Sequence, residues 1–90
     1  MTMQRFIIER DVPKVGSLDR EQLRAAVAKS KDVMRQLGPD IQWAQSYVCG
    51  DKTFCVYLAS DEAIIRKHAE MAGLPVTRIM RANTVIDPTT

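Results

Sequence analysis

A small set of side chains in this sequence can take part in metal or proton chemistry. Glu9 and Asp11 lie two positions apart in a β-prone segment, so both carboxylates point the same way from a strand. His68 is the only histidine, and Cys55 lies in another β-prone segment. Paired carboxylates can bind a hard or borderline cation or assist proton transfer, and imidazole and thiolate suit borderline and softer metals. These residue types indicate metal binding or proton transfer as the available chemistry.

Each of these side chains also has a purely structural interpretation. An acid pair at a strand end next to Arg10 is more often a solvated, ion-paired edge. A lone histidine on the inward stripe of a helix is more often a hydrogen-bonded packing residue than a ligand. Cys55, and Cys49 beside a predicted turn, form no Cys-x-x-Cys pair and are typical of small reduced thiols. No Ser-His-Asp order, phosphate loop, dinucleotide fingerprint or His-Glu-x-x-His motif occurs, so residue chemistry alone defines no enzyme.

Composition limits the partners and the location of the chain. The 90 residues include 13 basic and 11 acidic side chains, a net charge of +2, which is too small to indicate nucleic acid or an anionic membrane as partner. No apolar run reaches the length of a membrane span, and the first residues lack the pattern of a signal peptide, which predicts a cytoplasmic protein. Residues 1–90 are predicted to form one domain, and a domain this small gains from burial against a partner.

Alternating strand and helix signals predict the elements that position these side chains. A strand at 4–10 is followed by a helix with Ser17 as its N-cap and Gly38-Pro39 as its end, and a second helix runs from Ser60 to Gly73. The other predicted strands cover 41–48, 53–59 and 78–86, the first two joined by a hairpin turn. The order β-α-β-β-α-β predicts an α+β, ferredoxin-like sandwich in which both helices cover one face of a four-stranded antiparallel sheet.

The sheet face opposite the helices, called the open face below, has no predicted cover within the chain. Alternation along the second and third strands predicts that it carries Trp43, Tyr47, Cys55 and Tyr57. The same alternation predicts a helix-facing set of Phe54, Val56 and Leu58, although a one-residue slip would exchange the two faces. So much aromatic surface favours a homodimer that packs sheet against sheet. A small-molecule pocket within such a dimer and RNA stacked on the aromatics are the alternatives, but the third strand lacks the glycines of the RNA motif.

Several segments together resemble the small bacterial nickel-binding protein family, long known as a domain of unknown function. In order along the chain they are Phe6–Pro13, Ile41–Val48, Lys52–Ala59, Ser60–Ala69 and Val85–Thr90. The resemblance implies a ferredoxin-like fold of the dimeric α/β-barrel type, a homodimer joined through the sheets, and nickel bound by the dimer. Carried over by position, it implies His68, Glu9, Asp11 and Cys55 as metal-contacting residues. Gln45 is a departure, since family members often have a histidine there and an amide is a poorer nickel ligand.

Two hypotheses follow for the function. The first is a cytoplasmic homodimer that binds a divalent metal, nickel by resemblance, through His68 with oxygen from Glu9 or Asp11 and thiolate from Cys55. An imidazole ligand predicts that affinity falls below about pH 6. The second is a small isomerase- or cyclase-type enzyme of the dimeric α/β-barrel class, which binds an organic molecule between sheet and helices. Gln45 would orient this molecule, and His68 or an acid would carry the proton.

Overall fold

The predicted strand and helix order is confirmed in a computed structural model that describes residues 2–90. The strands are β1 (Gln4–Asp11), β2 (Ile41–Cys49), β3 (Lys52–Ala59) and β4 (Arg78–Ala82), and the helices are α1 (Arg20–Leu37) and α2 (Glu62–Ala72). The sheet order is β2-β3-β1-β4, with every neighbouring pair antiparallel. This is the ferredoxin-like arrangement. β4 is shorter than expected, and Val85 and Ile86 beyond it are 63% and 76% exposed.

The ends of both helices follow from capping residues. The carboxylate of Asp19 accepts a hydrogen bond from the backbone N–H of Gln22, whose side chain accepts from the N–H of Asp19 in return. Asp19 is therefore the N-cap of α1, and the prediction of Ser17 was wrong, because Ser17 ends a short 3-10 turn at Val15–Ser17. Asp61 caps α2 by accepting a hydrogen bond from the backbone N–H of Ile64. The helices end at Gly38 and Gly73, both with positive φ.

The hydrophobic core lies between the sheet and the helices. Its buried members are Phe6, Ile8, Ile41, Cys55, Tyr57, Ala59 and Ile65. α1 adds Val33, and the two helices meet where Ser30 of α1 contacts His68 of α2. Within residues 2–90 no helix is both long enough and apolar enough to cross a bilayer.

The helix-facing side of β3 is the reverse of the predicted one. In the ladder, Phe6 pairs with Tyr57 and Ile8 with Cys55, so Tyr57 and Cys55 share the buried face of β1. Tyr57 is 2% and Cys55 6% exposed, so their placement on the open face was wrong. Period-two alternation fixes which residues share a face, and it does not fix which of the two faces the helices cover.

The second strand changes face at a β-bulge. Trp43 pairs with Tyr57 on the helix side, but the register shifts by one residue so that Gln45 pairs with Val56 and Tyr47 with Phe54 on the open face. Trp43 packs on the core and donates from Nε1 to Ser46 Oγ at 2.9 Å, so its predicted exposure on the open face was wrong. Tyr47, 54% exposed, lies on the open face as predicted.

Candidate functional site

The open face is an apolar surface in the middle of the sheet. Its half-buried apolar side chains are Ile7, Phe54, Val56, Leu58 and Met80. Ile7 is the cross-strand neighbour of both Val56 on β3 and Met80 on β4, so the apolar side chains are contiguous across three strands. A contiguous apolar surface that one chain leaves partly exposed is typical of contact sites.

An acidic pair lies at one end of the same face. Glu9 and Asp11 alternate on β1 and point the same way, as predicted, and the ammonium of Lys52 bridges them. Lys52 Nζ lies 2.7 Å from Glu9 Oε2 and also donates to Asp11 Oδ1. Side-chain exposure is 17% for Glu9 and 56% for Asp11. The expected ion-paired edge is present, but the cation is Lys52 and not Arg10, which points to the other face.

The bridging geometry shifts the pKa values of Asp11 and Lys52. The hydrogen bond from Lys52, with one from Thr77, holds the pKa of the Asp11 carboxyl below its usual value. Hydrogen bonds to Asp11 and Glu9 raise the pKa of Lys52 above its ordinary range. The Asp11 carboxylate is thus ionised at neutral pH. The oxygens of both acids are available to a cation that displaces the ammonium.

The other two predicted metal ligands lie on the opposite side of the sheet. His68 has no exposed surface, and its Nε2 is 3.0 Å from Ser30 Oγ, while its ring centroid is 5.5 Å from that of Tyr57. Cys55 is a buried free thiol that donates to Thr53 Oγ1 at 3.7 Å. The structure therefore brings Glu9 next to Asp11 and places His68 and Cys55 in the core. Because the sheet separates these two pairs, one ion bound to a single protomer cannot contact both.

The ligand candidates of one protomer are too few for a closed metal centre. No group of three or more His, Cys, Asp or Glu side chains with metal-binding geometry occurs in the part of the chain that is described. A metal ion on either pair therefore needs further ligands from solvent or from a second copy of the chain.

Arg10 is the site residue that sequence reasoning missed. It is 1% exposed and lies on the helix-facing side of β1, after Phe6 and Ile8. Its Nη1 donates to the carbonyl oxygen of Pro75 at 2.8 Å, whereas Nε and Nη2 are buried without a partner. The signal was available in the alternation, because Phe6, Ile8 and Arg10 share one strand face and the first two are apolar.

The buried environment shifts the titration of His68. The groups that face it are Ser30 from α1, Tyr57 from β3 and Arg10 from β1. Burial, reinforced by the positive charge of Arg10, lowers the pKa of His68 below its usual value, and a hydrogen bond with the backbone of Ser30 only partly opposes this. Burial also raises the pKa of Tyr57, so both rings are neutral at pH 7.

The lowered pKa of His68 predicts acid-sensitive stability. Below about pH 6.5 His68 becomes protonated in the unfolded chain but stays neutral in the folded chain. Acid therefore stabilises the unfolded state, and the free energy of unfolding decreases as pH falls. The slope from this group approaches about 1.4 kcal/mol per pH unit until the lower folded pKa is reached. Urea unfolding between pH 7.5 and 5 measures it. In His68→Gln this part of the pH dependence should be absent, and an unchanged slope would contradict the assignment.

Comparison with known proteins places the chain in a family. A family model described as "Nickel responsive protein SCO4226-like" matches residues 6–81. The crystal structure of SCO4226 from Streptomyces coelicolor A3(2) superposes with a TM-score of 0.75 at 14% identity, covering 91% of this chain and 99% of that chain. At that identity the superposition supports the fold alone. No curated protein matches the chain. Because the family match spans most of the sequence, the chain belongs to the nickel responsive SCO4226-like family.

Proposed function

We propose that this protein is a cytoplasmic homodimer that binds a divalent metal ion, nickel in the first place, at the acidic end of its open face. Membership of a nickel responsive family is the observation that carries the metal part of the proposal. The geometry of the open face supports the other two parts, the dimer and the position of the ion.

The dimer is supported by the apolar side chains that the helices do not cover. Ile7, Val56 and Leu58 lie next to one another at the centre of the sheet and are only half-buried in one chain. A second copy packed sheet against sheet would bury them in both chains at once, which adds the apolar burial that a 90-residue domain lacks. On the open face, β1 carries the exposed charged residues Arg5 and Asp11 near its two ends, as expected for the rim of such an interface.

The position of the ion is supported by charge. The carboxylates of Glu9 and Asp11 share one ammonium group, and oxygen ligands of this type accept a divalent cation when that ammonium moves away. In a sheet-to-sheet dimer the pair faces the second copy, which can supply further ligands. Lys52 is half-exposed on a flexible stem, so its release to solvent costs little.

The interior pair of His68 and Cys55 is less suited to a cation. His68 Nδ1 is unpartnered, but the uncompensated guanidinium of Arg10 lies in the same buried layer. The positive field that disfavours a proton on His68 also disfavours a divalent ion there. Both residues stay predictions of the family resemblance, and we assign the metal to Glu9 and Asp11.

Calorimetric titration of the metal-free full chain with nickel chloride tests the function. We expect a dissociation constant below about 100 µM at pH 7, and binding that persists at pH 5.5 because carboxylates titrate near pH 4. A dissociation constant for nickel of about 1 mM or weaker at pH 7 would contradict the proposed function. Binding that disappears between pH 6.5 and 5.5 would instead place the ion on His68.

A further inference from the structure

The buried guanidinium of Arg10 is incompletely satisfied, although arginine remains charged at every accessible pH. Nη1 donates to Pro75, and the two nitrogens without a partner are Nε and Nη2. Their N–H groups point the same way along one edge of the planar guanidinium. That edge is the fork that binds the two oxygens of a carboxylate with two parallel hydrogen bonds.

No acidic side chain of this protein occupies that fork. The buried polar or charged residues are Arg10, Ser30 and His68, none of which is an acid. The acids on either side of Arg10 in sequence, Glu9 and Asp11, lie on the opposite face of the sheet and are bound to Lys52. Among residues 2–90 no carboxylate forms an ion pair with Arg10. Burying an unpaired charge costs several kcal/mol, which calls for a compensating anion.

A second buried nitrogen without a hydrogen-bond partner lies in the same layer. His68 has no exposed surface, and its Nδ1 has no hydrogen-bond partner. When the hydroxyl of Ser30 donates to Nε2, the hydrogen of the neutral ring is on Nδ1. The layer then offers three donor nitrogens, Nε and Nη2 of Arg10 and Nδ1 of His68, and one positive charge. The hydroxyl of Tyr57 lies beside Arg10 in the same layer.

We propose that the space between the sheet and the helices holds a small carboxylate, bound by Nε and Nη2 of Arg10 with His68 as an additional donor. A planar monoanion matches both the flat fork and the single charge. Because Arg10 and His68 are 1% and 0% exposed, the ligand has only a few heavy atoms, as formate does. The site is independent of the metal proposed on the open face, since the sheet separates the two.

Titration of the metal-free, ¹⁵N-labelled full chain with sodium formate tests the proposal, with the Nε–H resonance of Arg10 as the readout. The best affinity available to three heavy atoms corresponds to a dissociation constant of about 1 mM. We expect a saturable shift of this resonance with a constant of about 1–20 mM, and no such shift with sodium chloride at equal ionic strength. No saturable shift, or an equal shift with chloride, would overturn the proposal and would indicate that water fills the site.

Thermal unfolding gives a second measurement with a matched variant. At 100 mM formate the melting temperature of the wild-type protein should rise by about 4–20 °C relative to chloride. Arg10→Lys keeps the charge but lacks the fork, so the rise should disappear, whereas it should persist in Arg24→Lys, where the residue is exposed and paired with Glu21. A formate-dependent rise of equal size in Arg10→Lys would contradict the site. If Arg10→Lys does not fold, the formate titration of the Arg10 Nε–H resonance in the wild-type protein tests the site on its own.

Discussion

Val56→Arg is expected to convert the protein from a dimer into a monomer. Val56 lies at the centre of the open face, between Ile7 on β1 and Gln45 on β2. In a sheet-to-sheet dimer the substitution buries an unpaired guanidinium in each chain, at a cost of several kcal/mol per charge. The dimer dissociation constant should rise at least about 100-fold. Light scattering at micromolar concentration should then report 10.2 kDa, and twice that mass for the wild-type protein.

Val48→Arg is the matched control for this variant. Val48 is a valine of the same sheet, but it pairs with Thr53 on the helix-facing side near the hairpin turn and is 44% exposed. The added arginine remains in solvent, so the dimer should persist. Circular dichroism should show both variants folded, since neither residue belongs to the core. A dimer in Val56→Arg, or a monomeric wild-type protein, would show that the open face is not the interface.

Replacing both acids of the pair is expected to remove nickel binding. In Glu9→Gln/Asp11→Asn the amides cannot supply charged oxygen ligands, and affinity for nickel should fall at least about 100-fold. Lys52→Met should act in the opposite direction, because it removes the cation that competes for the same oxygens. Titration calorimetry at pH 7 measures all three proteins.

The control for charge replaces one glutamate and one aspartate elsewhere in the chain. Glu21→Gln/Asp32→Asn removes the same charge from α1, where both acids are exposed and paired with Arg24 and Arg35. Its nickel affinity should equal that of the wild-type protein. Equal losses in the two double variants would indicate a non-specific charge effect. A loss in His68→Gln with none in Glu9→Gln/Asp11→Asn would move the ion to the interior.

The sequence predicted the order of elements well because each boundary carries a local signal. Gly38 followed by proline, Asp61 at the start of α2 and the turn at Gly50 are decided by residues a few positions apart. Ser17 failed as the cap because Asp19 offers the stronger reciprocal pair with Gln22. Residues close together in sequence do not show which face of the sheet the helices cover. The orientation of the faces depends on which side of the sheet the helices pack, and on a β-bulge after Trp43 that propensities do not indicate.

The candidate site was predictable only in part for the same reason. That Glu9 and Asp11 share a strand face follows from alternation alone. Their bridge to Lys52 requires the β1–β3 pairing, and the separation of His68 and Cys55 from them requires the tertiary packing. The buried Arg10 was overlooked because a charged side chain is rarely fully buried without a partner. Its position beside Phe6 and Ile8 in the alternation was the available signal.

Anomalous scattering at the nickel absorption edge, from crystals grown with nickel, would locate the bound ion and show what covers the open face. We expect an anomalous peak beside the carboxylates of Glu9 and Asp11, with the ammonium of Lys52 displaced and the open faces of two copies in contact. A peak next to His68 and Cys55 in the interior would contradict the metal site at Glu9 and Asp11. An open face that contacts no second copy would contradict the sheet-to-sheet dimer.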